Sequence, residues 1–372
     1  MGFKVRAANQ RVVGTASVGP VSSLNTKVQS AFNTIGGFDK AKHLTIAAKA
    51  IYEQTVESDR STVKTNSKIW PRGWKVVGDG WYGLSEQVTG NRTAGVLPNL
   101  ETKHAVTVLE FHAGSCFEKG DILIACRGTD FGLKGMVEGK IDLAGMKADF
   151  KHPGTGKYVG KVHQGFYDIY NTVFLGKISG NLSLFEAVLK RKPKHIYVTG
   201  HSLGGAMSHL CALGLDLLAQ HLNIPTKVRV CSFAAPRVCN CRIPPSNMYR
   251  AFKNSGLEGV RVVNLLDPVG FLPGASGAGS LVIGALSTAK ASFKGNAKSA
   301  IKSFMIGTVG SGVASVAEVA VVLHGITTGI WDHPDFEEVT FADSGSASKS
   351  PHPHSMDLYK HLMLKQNARL DA

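Results

Sequence analysis

His195-Ile-Tyr-Val-Thr-Gly-His-Ser-Leu-Gly-Gly-Ala-Met-Ser-His209 decides the reading of this 372-residue chain. Ile196 to Thr199 is a short, largely β-branched run of the kind a buried central strand shows. It leads straight into Gly200-His201-Ser202-Leu203-Gly204, a Gly-x-Ser-x-Gly sequence. The glycines permit a turn so tight that the serine is held in strained backbone geometry with its hydroxyl thrust outward. A helix follows from Gly205 to about His221, and its first small residues allow close packing on the strand. Strand, elbow and helix in that order predict a nucleophile at Ser202.

Working outward, strands are predicted at His104–Phe111, Asp121–Cys126, Val228–Phe233 and Val260–Leu266. Helical periodicity runs through 165–190, where Tyr170, Val173, Phe174, Leu182, Phe185 and Val188 recur. Strands alternating with helices imply an α/β fold: a mostly parallel sheet covered by helices on both faces, here over residues 101–272. Within residues 1–100, the stretch 1–32 reads as a basic, peripheral arm, Phe38–Val56 as a helix, and 57–100 shows no clear period.

Residues 273–335 read as a Gly/Ala-rich insertion. Lys290, Lys294, Lys298 and Lys302 fall four apart along one helical face, with apolar residues such as Leu286, Phe293 and Phe304 on another. That is the pattern of a basic amphipathic helix, suited to a lid or a membrane contact. A transmembrane span over 304–331 is disfavoured by Glu318, His324 and the glycines; a Gly-rich helical hairpin suits the composition better. Residues 336–372 are expected to hold a last strand at Glu337–Phe341, a Ser/Gly/Pro/His loop and a closing helix over 355–366.

Hydrophobic residues make up 43% and charged residues 19% of the chain, which allows a packed core and excludes global disorder. Lys and Arg number 42 against 27 Asp and Glu, and the net +15 favours an anionic partner surface. Six cysteines occur without a Cys-x-x-Cys pair, so a zinc ribbon or a thioredoxin-type site is not expected. Cys126, Cys211 and Cys231 sit in apolar runs as small hydrophobes, a usage that fits a reducing compartment. The first residues lack the apolar run of a secretory signal, and Arg6 stands where a myristoylation motif wants Ser or Thr. Cytoplasmic synthesis is therefore expected, with any delivery outside the cell by a signal-independent route.

Thr199-Gly-His-Ser-Leu-Gly-Gly-Ala206 resembles the nucleophile region of the fungal-type (class 3) lipases of the α/β-hydrolase fold. Three further blocks resemble that family in the same order: Cys126-Arg-Gly-Thr-Asp130, Val162-His-Gln-Gly-Phe-Tyr167 and Asn264-Leu-Leu-Asp-Pro-Val269. The resemblance makes Thr129 an oxyanion residue, with the backbone N–H of Leu203 as the second donor. It makes Asp267, at a strand end before Pro268, the carboxylate that orients a histidine. Downstream candidates for the base are His324, His333, His352, His354 and His361. His352 and His354 share the loop after the last strand, where the fold presents its base. His354-Ser-Met-Asp-Leu-Tyr359 is similar to the tail of bacterial relatives, which favours His354 with His352 as the competitor. His201 is expected to lie under the nucleophile, and His163 to be structural.

The resemblance implies a carboxylic ester hydrolase acting on lipid through an acyl-enzyme on Ser202, without metal or cofactor. The lysine-striped insertion and the positive charge point to a phospholipase A working at an anionic membrane surface, with no nucleic-acid partner. A secretion machinery or an inhibitory immunity protein follows only by analogy with bacterial lipase effectors. The alternatives are a soluble carboxylesterase or acyltransferase on the same residues, and an inert hydrolase scaffold that binds membranes.

Overall fold

The computed structural model describes residues 4–6, 28–53, 68–82, 103–128, 147–176, 182–239, 247–264, 267–271, 334, 336–341 and 354–370. Thr129, His324, His333 and His352 lie outside them, as do the lysine face 290–302 and nearly all of the 273–335 insertion.

Eight strands form one sheet in the order β1-β10-β9-β8-β7-β4-β3-β2. These are β1 (Lys4–Arg6), β2 (Trp74–Tyr82), β3 (Lys103–Phe111), β4 (Ile122–Cys126), β7 (His195–His201), β8 (Lys227–Phe233), β9 (Glu258–Asn264) and β10 (Glu337–Phe341). The five central strands, β10-β9-β8-β7-β4, run parallel; β1, β2 and β3 are antiparallel additions at the two edges. All five residues of β4 are buried, which accounts for its unbroken apolar sequence: helices cover both faces and leave no side for polar alternation. A separate antiparallel hairpin joins β5 (Lys147–Lys151) to β6 (Tyr158–His163).

Helices α1 (Phe38–Glu53) and α6 (Met356–Leu370) pack together on one face of the sheet. The other face carries α2 (Gln164–Tyr170), α3 (Leu184–Lys190) and α4 (Leu203–His221), with α5 (Asn247–Asn254) against β6. Side chains of β7 alternate accordingly: Ile196 and Val198 join the α4 core, and Tyr197 joins the α1 core. In α1 the apolar residues Ala41, Leu44, Ala47, Ala48 and Ile51 are all buried, as their helical spacing implies.

The predicted strands and the long helix after the elbow appear where expected, with ends shifted by at most two residues. The N-terminal region differs. Lys4–Arg6, read as part of a peripheral arm, pairs antiparallel with β10, and Val28, Ala31, Phe32 and Ile35 are buried in the α1 core. Trp74–Tyr82 forms a strand with bulges at Val76/Gly78 and Gly80/Trp81, irregularities that hide its alternation in sequence. Among the described residues no helix is long and apolar enough to cross a membrane.

Gly214, in the middle of α4, shows how closely the second layer packs. A Cβ there would stand 2.2 Å from Tyr170 Oη and 2.7 Å from a Phe185 ring carbon. The buried Tyr170 hydroxyl makes no hydrogen bond among the described residues. Gly214→Ala is expected to destabilise the fold by about 1–3 kcal/mol. Tyr170→Phe, which deletes the nearest clashing atom, should recover part of that loss, seen as positive coupling in a double-mutant cycle by urea unfolding.

Candidate active site

The register of the parallel strands sets the site. Cys126 at the end of β4 lies opposite Gly200 on β7, so the residues after both strands emerge side by side. At the end of β7 the chain reverses into α4 through Ser202, whose backbone is at φ 59°, ψ −128°. For a residue with a Cβ this conformation costs on the order of 1–3 kcal/mol. It is held by Ser202 N–H donating to the Phe233 carbonyl at 3.0 Å. It is held also by contacts that leave no room for side chains at its flanks. A Cβ on Gly200 would meet the Gly204 carbonyl oxygen at 2.2 Å, and one on Gly204 would meet the Cys126 carbonyl oxygen at 2.2 Å.

Ser202 Oγ lies 2.8 Å from His354 Nε2, and His354 Nδ1 lies 2.7 Å from Asp267 Oδ2. Asp267 follows β9, and His354 stands just before α6. All three side chains are buried. The Asp267 carboxylate takes two further hydrogen bonds: Oδ1 accepts from Val269 N–H at 2.9 Å, and Oδ2 accepts from the Tyr359 hydroxyl at 3.0 Å. Tyr359 Oη in turn accepts from Asn264 N–H at 3.0 Å, so α6 is fastened to the end of β9 at the carboxylate. Such a chain of bonds can draw a proton off a hydroxyl onto a ring whose new charge faces a fixed carboxylate. Leu203 begins α4, and the first amides of a helix have no partner within it, so its N–H is free to serve an anion.

The structure thus brings Ser202, His354 and Asp267 together and places Leu203 beside them. Thr129 is outside the described residues, but Gly128 is not. A Cβ on Gly128 would stand 2.5 Å from the His201 carbonyl oxygen, which sets the chain just before Thr129 against the elbow. His361 lies within α6, apart from the Ser202 bond. His163 is buried, with its ring on Phe166 and its backbone N–H donating to the Val238 carbonyl. Among the described residues no group of three His, Cys, Asp or Glu could hold a metal ion.

His201 is buried beneath this arrangement. Its Nδ1 is 3.0 Å from Tyr52 Oη and its ring is 4.6 Å from that of His354. Burial, and then the His354 charge, push its pKa well below the ordinary 6.5. Sequence reasoning missed Tyr52, because the residues it serves are 75 or more positions away and α1 ends in no motif. It also missed a second buried pair, in which His209 Nε2 lies 2.8 Å from Ser232 Oγ, and burial likewise pushes the His209 pKa well down. Cys116, Cys126, Cys211 and Cys231 are free, but Cys239 is disulfide-bonded.

A parallel core sheet flanked by helices, with a serine on a strained strand-to-helix turn, defines the α/β-hydrolase class. Residues 123–277 match the family model described as lipase (class 3). Phospholipase A1-II 3 of Oryza sativa subsp. japonica is 34% identical over 169 residues, 40% of this chain and 38% of the relative. The chloroplastic phospholipase A1-Igamma2 of Arabidopsis thaliana is 30% identical over 178 residues, 41% of this chain and 31% of the relative. The chain therefore spans well under half the length of these relatives. Among solved structures, M37 lipase superposes with a TM-score of 0.46 at 16% identity, covering 72% of this chain and 80% of its own. A triacylglycerol lipase from Penicillium expansum gives 0.39 at 16%, covering 63% and 70%.

His201 and His209 link stability to pH. Each is neutral when folded and free to protonate when unfolded, so below 6.5 the unfolded chain binds more protons. Stability is full above that pH and falls as pH drops below it, by up to about 1.4 kcal/mol per histidine per pH unit. Urea titrations from pH 7.5 to 5 should show this decline, and His209→Gln should make the slope shallower.

Proposed function

We propose that this protein is a serine-dependent carboxylic ester hydrolase that acts on lipid. The observation that carries the reading is the unbroken chain of bonds from Ser202 Oγ through His354 to Asp267, at 2.8 and 2.7 Å. In the proposed cycle His354 Nε2 takes the Ser202 proton as Oγ attacks the ester carbonyl. The oxyanion is held by the Leu203 N–H and by Thr129. Loss of one such donor typically raises the barrier by about 3 kcal/mol. His354 then returns the proton to the leaving alcohol or lysolipid, and water, activated by the same ring, hydrolyses the acyl-enzyme.

The finer reading is a phospholipase A at an anionic membrane. Its support is the four-spaced Lys290, Lys294, Lys298 and Lys302, the net charge of +15, and relatives that carry the name phospholipase A1. Phospholipid vesicles treated with the protein should release fatty acid and lysophospholipid, identified by mass spectrometry, and Ser202→Ala should release neither. Retained release by Ser202→Ala, or a wild-type protein that a fluorophosphonate probe does not label at Ser202, would leave an inert scaffold as the better account. A rate optimum at short acyl chains among p-nitrophenyl esters, with no release from vesicles, would favour a soluble esterase.

Changing the four lysines together to Gln is expected to lower turnover on anionic vesicles several-fold while leaving soluble ester hydrolysis intact. Each lysine near an anionic surface contributes about 1 kcal/mol of attraction. Equal rates on anionic and neutral vesicles, unchanged by the four substitutions, would remove the membrane part of the reading.

A further inference from the structure

The last turns of α1 reach the reactive end of the sheet from a part of the chain outside residues 123–277, and they touch the elbow, the end of β4 and the helix that follows His354. Tyr52 Oη lies 3.0 Å from His201 Nδ1 and 3.3 Å from the His201 carbonyl oxygen, to which it can donate. The Tyr52 and His201 rings meet edge to face at 5.9 Å. Beyond His201 comes the His354 ring, 4.6 Å away and tilted by 34°.

On the other side, a Cβ on Gly128 would stand 2.0 Å from Tyr52 Oη. The phenol, the elbow carbonyl and the end of β4 therefore meet at one point. Arg127 closes the contact from below. It donates to the carbonyls of Ile51 at 2.8 Å and Tyr52 at 3.5 Å, and its guanidinium carbon lies 5.7 Å from the Tyr52 ring centroid. A cation on the last carbonyls of a helix is favourably placed against its dipole. One turn earlier, Lys49 pairs with Asp357 at 3.1 Å and ties α1 to the helix that follows His354.

We propose that Tyr52 is a positioning residue for the acyl-transfer site, holding His201 as a wedge between the His354 ring and the chain that leads to Thr129. The proposal rests on the hydrolase reading above. Its physical basis is alignment. The 2.8 Å bond from His354 to Ser202 needs the ring held against rotation, and an oxyanion hole built from two chain segments needs their separation fixed. A buried histidine can provide both only if it is itself anchored, and the phenol hydroxyl is the partner of its Nδ1. Tyr52 is proposed to act through His201, so its loss should slow the chemistry without weakening substrate binding.

The test compares the full chain with Tyr52→Phe, Tyr52→Leu and Tyr158→Phe, the last at an exposed tyrosine on the β5–β6 hairpin. It reads kcat and KM on a soluble p-nitrophenyl ester, with the rate constant and the endpoint of fluorophosphonate labelling. Tyr52→Phe keeps the ring and removes only the hydroxyl. It should lower kcat and the labelling rate constant about tenfold, the scale of one well-placed hydrogen bond, with KM and the labelling endpoint unchanged. Tyr52→Leu should lower both further, and Tyr158→Phe should match the wild type. Wild-type kcat in Tyr52→Phe overturns the proposal while the hydrolase reading stands. So does a change in KM alone, or a reduced endpoint at an unchanged rate constant, which is the mark of partial unfolding. A wild-type protein that neither labels nor hydrolyses overturns the hydrolase reading, and this proposal with it.

Discussion

Ser202 stands in a backbone conformation that a residue with a side chain avoids, and the site exists because the packing around it leaves no alternative. Gly204 sits against the Cys126 carbonyl, Gly200 against Gly204, and Ser202 N–H is tied to Phe233. Three adjacent parallel strands, β4, β7 and β8, thus converge on one turn. Relaxing the serine would mean separating α4 from the end of β4, and α4 is buried along nearly its whole length. The strain is local while the restraint is spread across the central sheet.

The carboxylate follows a different logic. Burying an ionised Asp267 without partners would be costly, and its oxygens are met by Val269 N–H, Tyr359 O–H and the His354 ring. These partners come from its own turn and from the last helix. The same bonds that satisfy the charge therefore fix α6, and with it His354, against β9. In this molecule the docking of the C-terminal helix and the placement of the imidazole are one event, with the Lys49–Asp357 pair at the helix's outer side as a weaker, half-exposed addition.

What was legible in the sequence follows from how local each constraint is. The strand–turn–helix unit around Ser202 is dictated by adjacent residues, and so are the all-apolar β4 and the alternation in β3. Those elements could be placed from the chain alone. The bulged β2 could not, because bulges break the period on which such reading depends. Nor could the three-residue β1, which has no pattern of its own and is a strand only because β10 offers an edge. The site divides in the same way. Ser202 announces itself by its flanks, whereas Asp267, at a strand end before proline that could serve only as a turn, rests on the resemblance. The choice of His354 leaned on resemblance, since nothing local separates one loop histidine from another. Tyr52 left no trace, because its role exists only after α1 packs on the sheet.

Histidines make the point about geometry most sharply. Among the described residues His354 lies within hydrogen-bond distance of the Ser202 hydroxyl, His201 of Tyr52 and His209 of Ser232. A fourth, His195, has a carboxylate, Asp121, at 3.1 Å. Of these four only His354 has both, a hydroxyl at one ring nitrogen and a carboxylate at the other. His201 and His209 are buried without a carboxylate, and burial makes them poor proton acceptors. Ser232 sits inside the extended run of β8, and it lacks the turn that turns a hydroxyl outward. His195 has its carboxylate at the start of β7, the end of the strand opposite Ser202. A serine beside a histidine is thus a common outcome of packing. What distinguishes one such pair as a candidate for catalysis is a third group that steadies the charge the ring would gain.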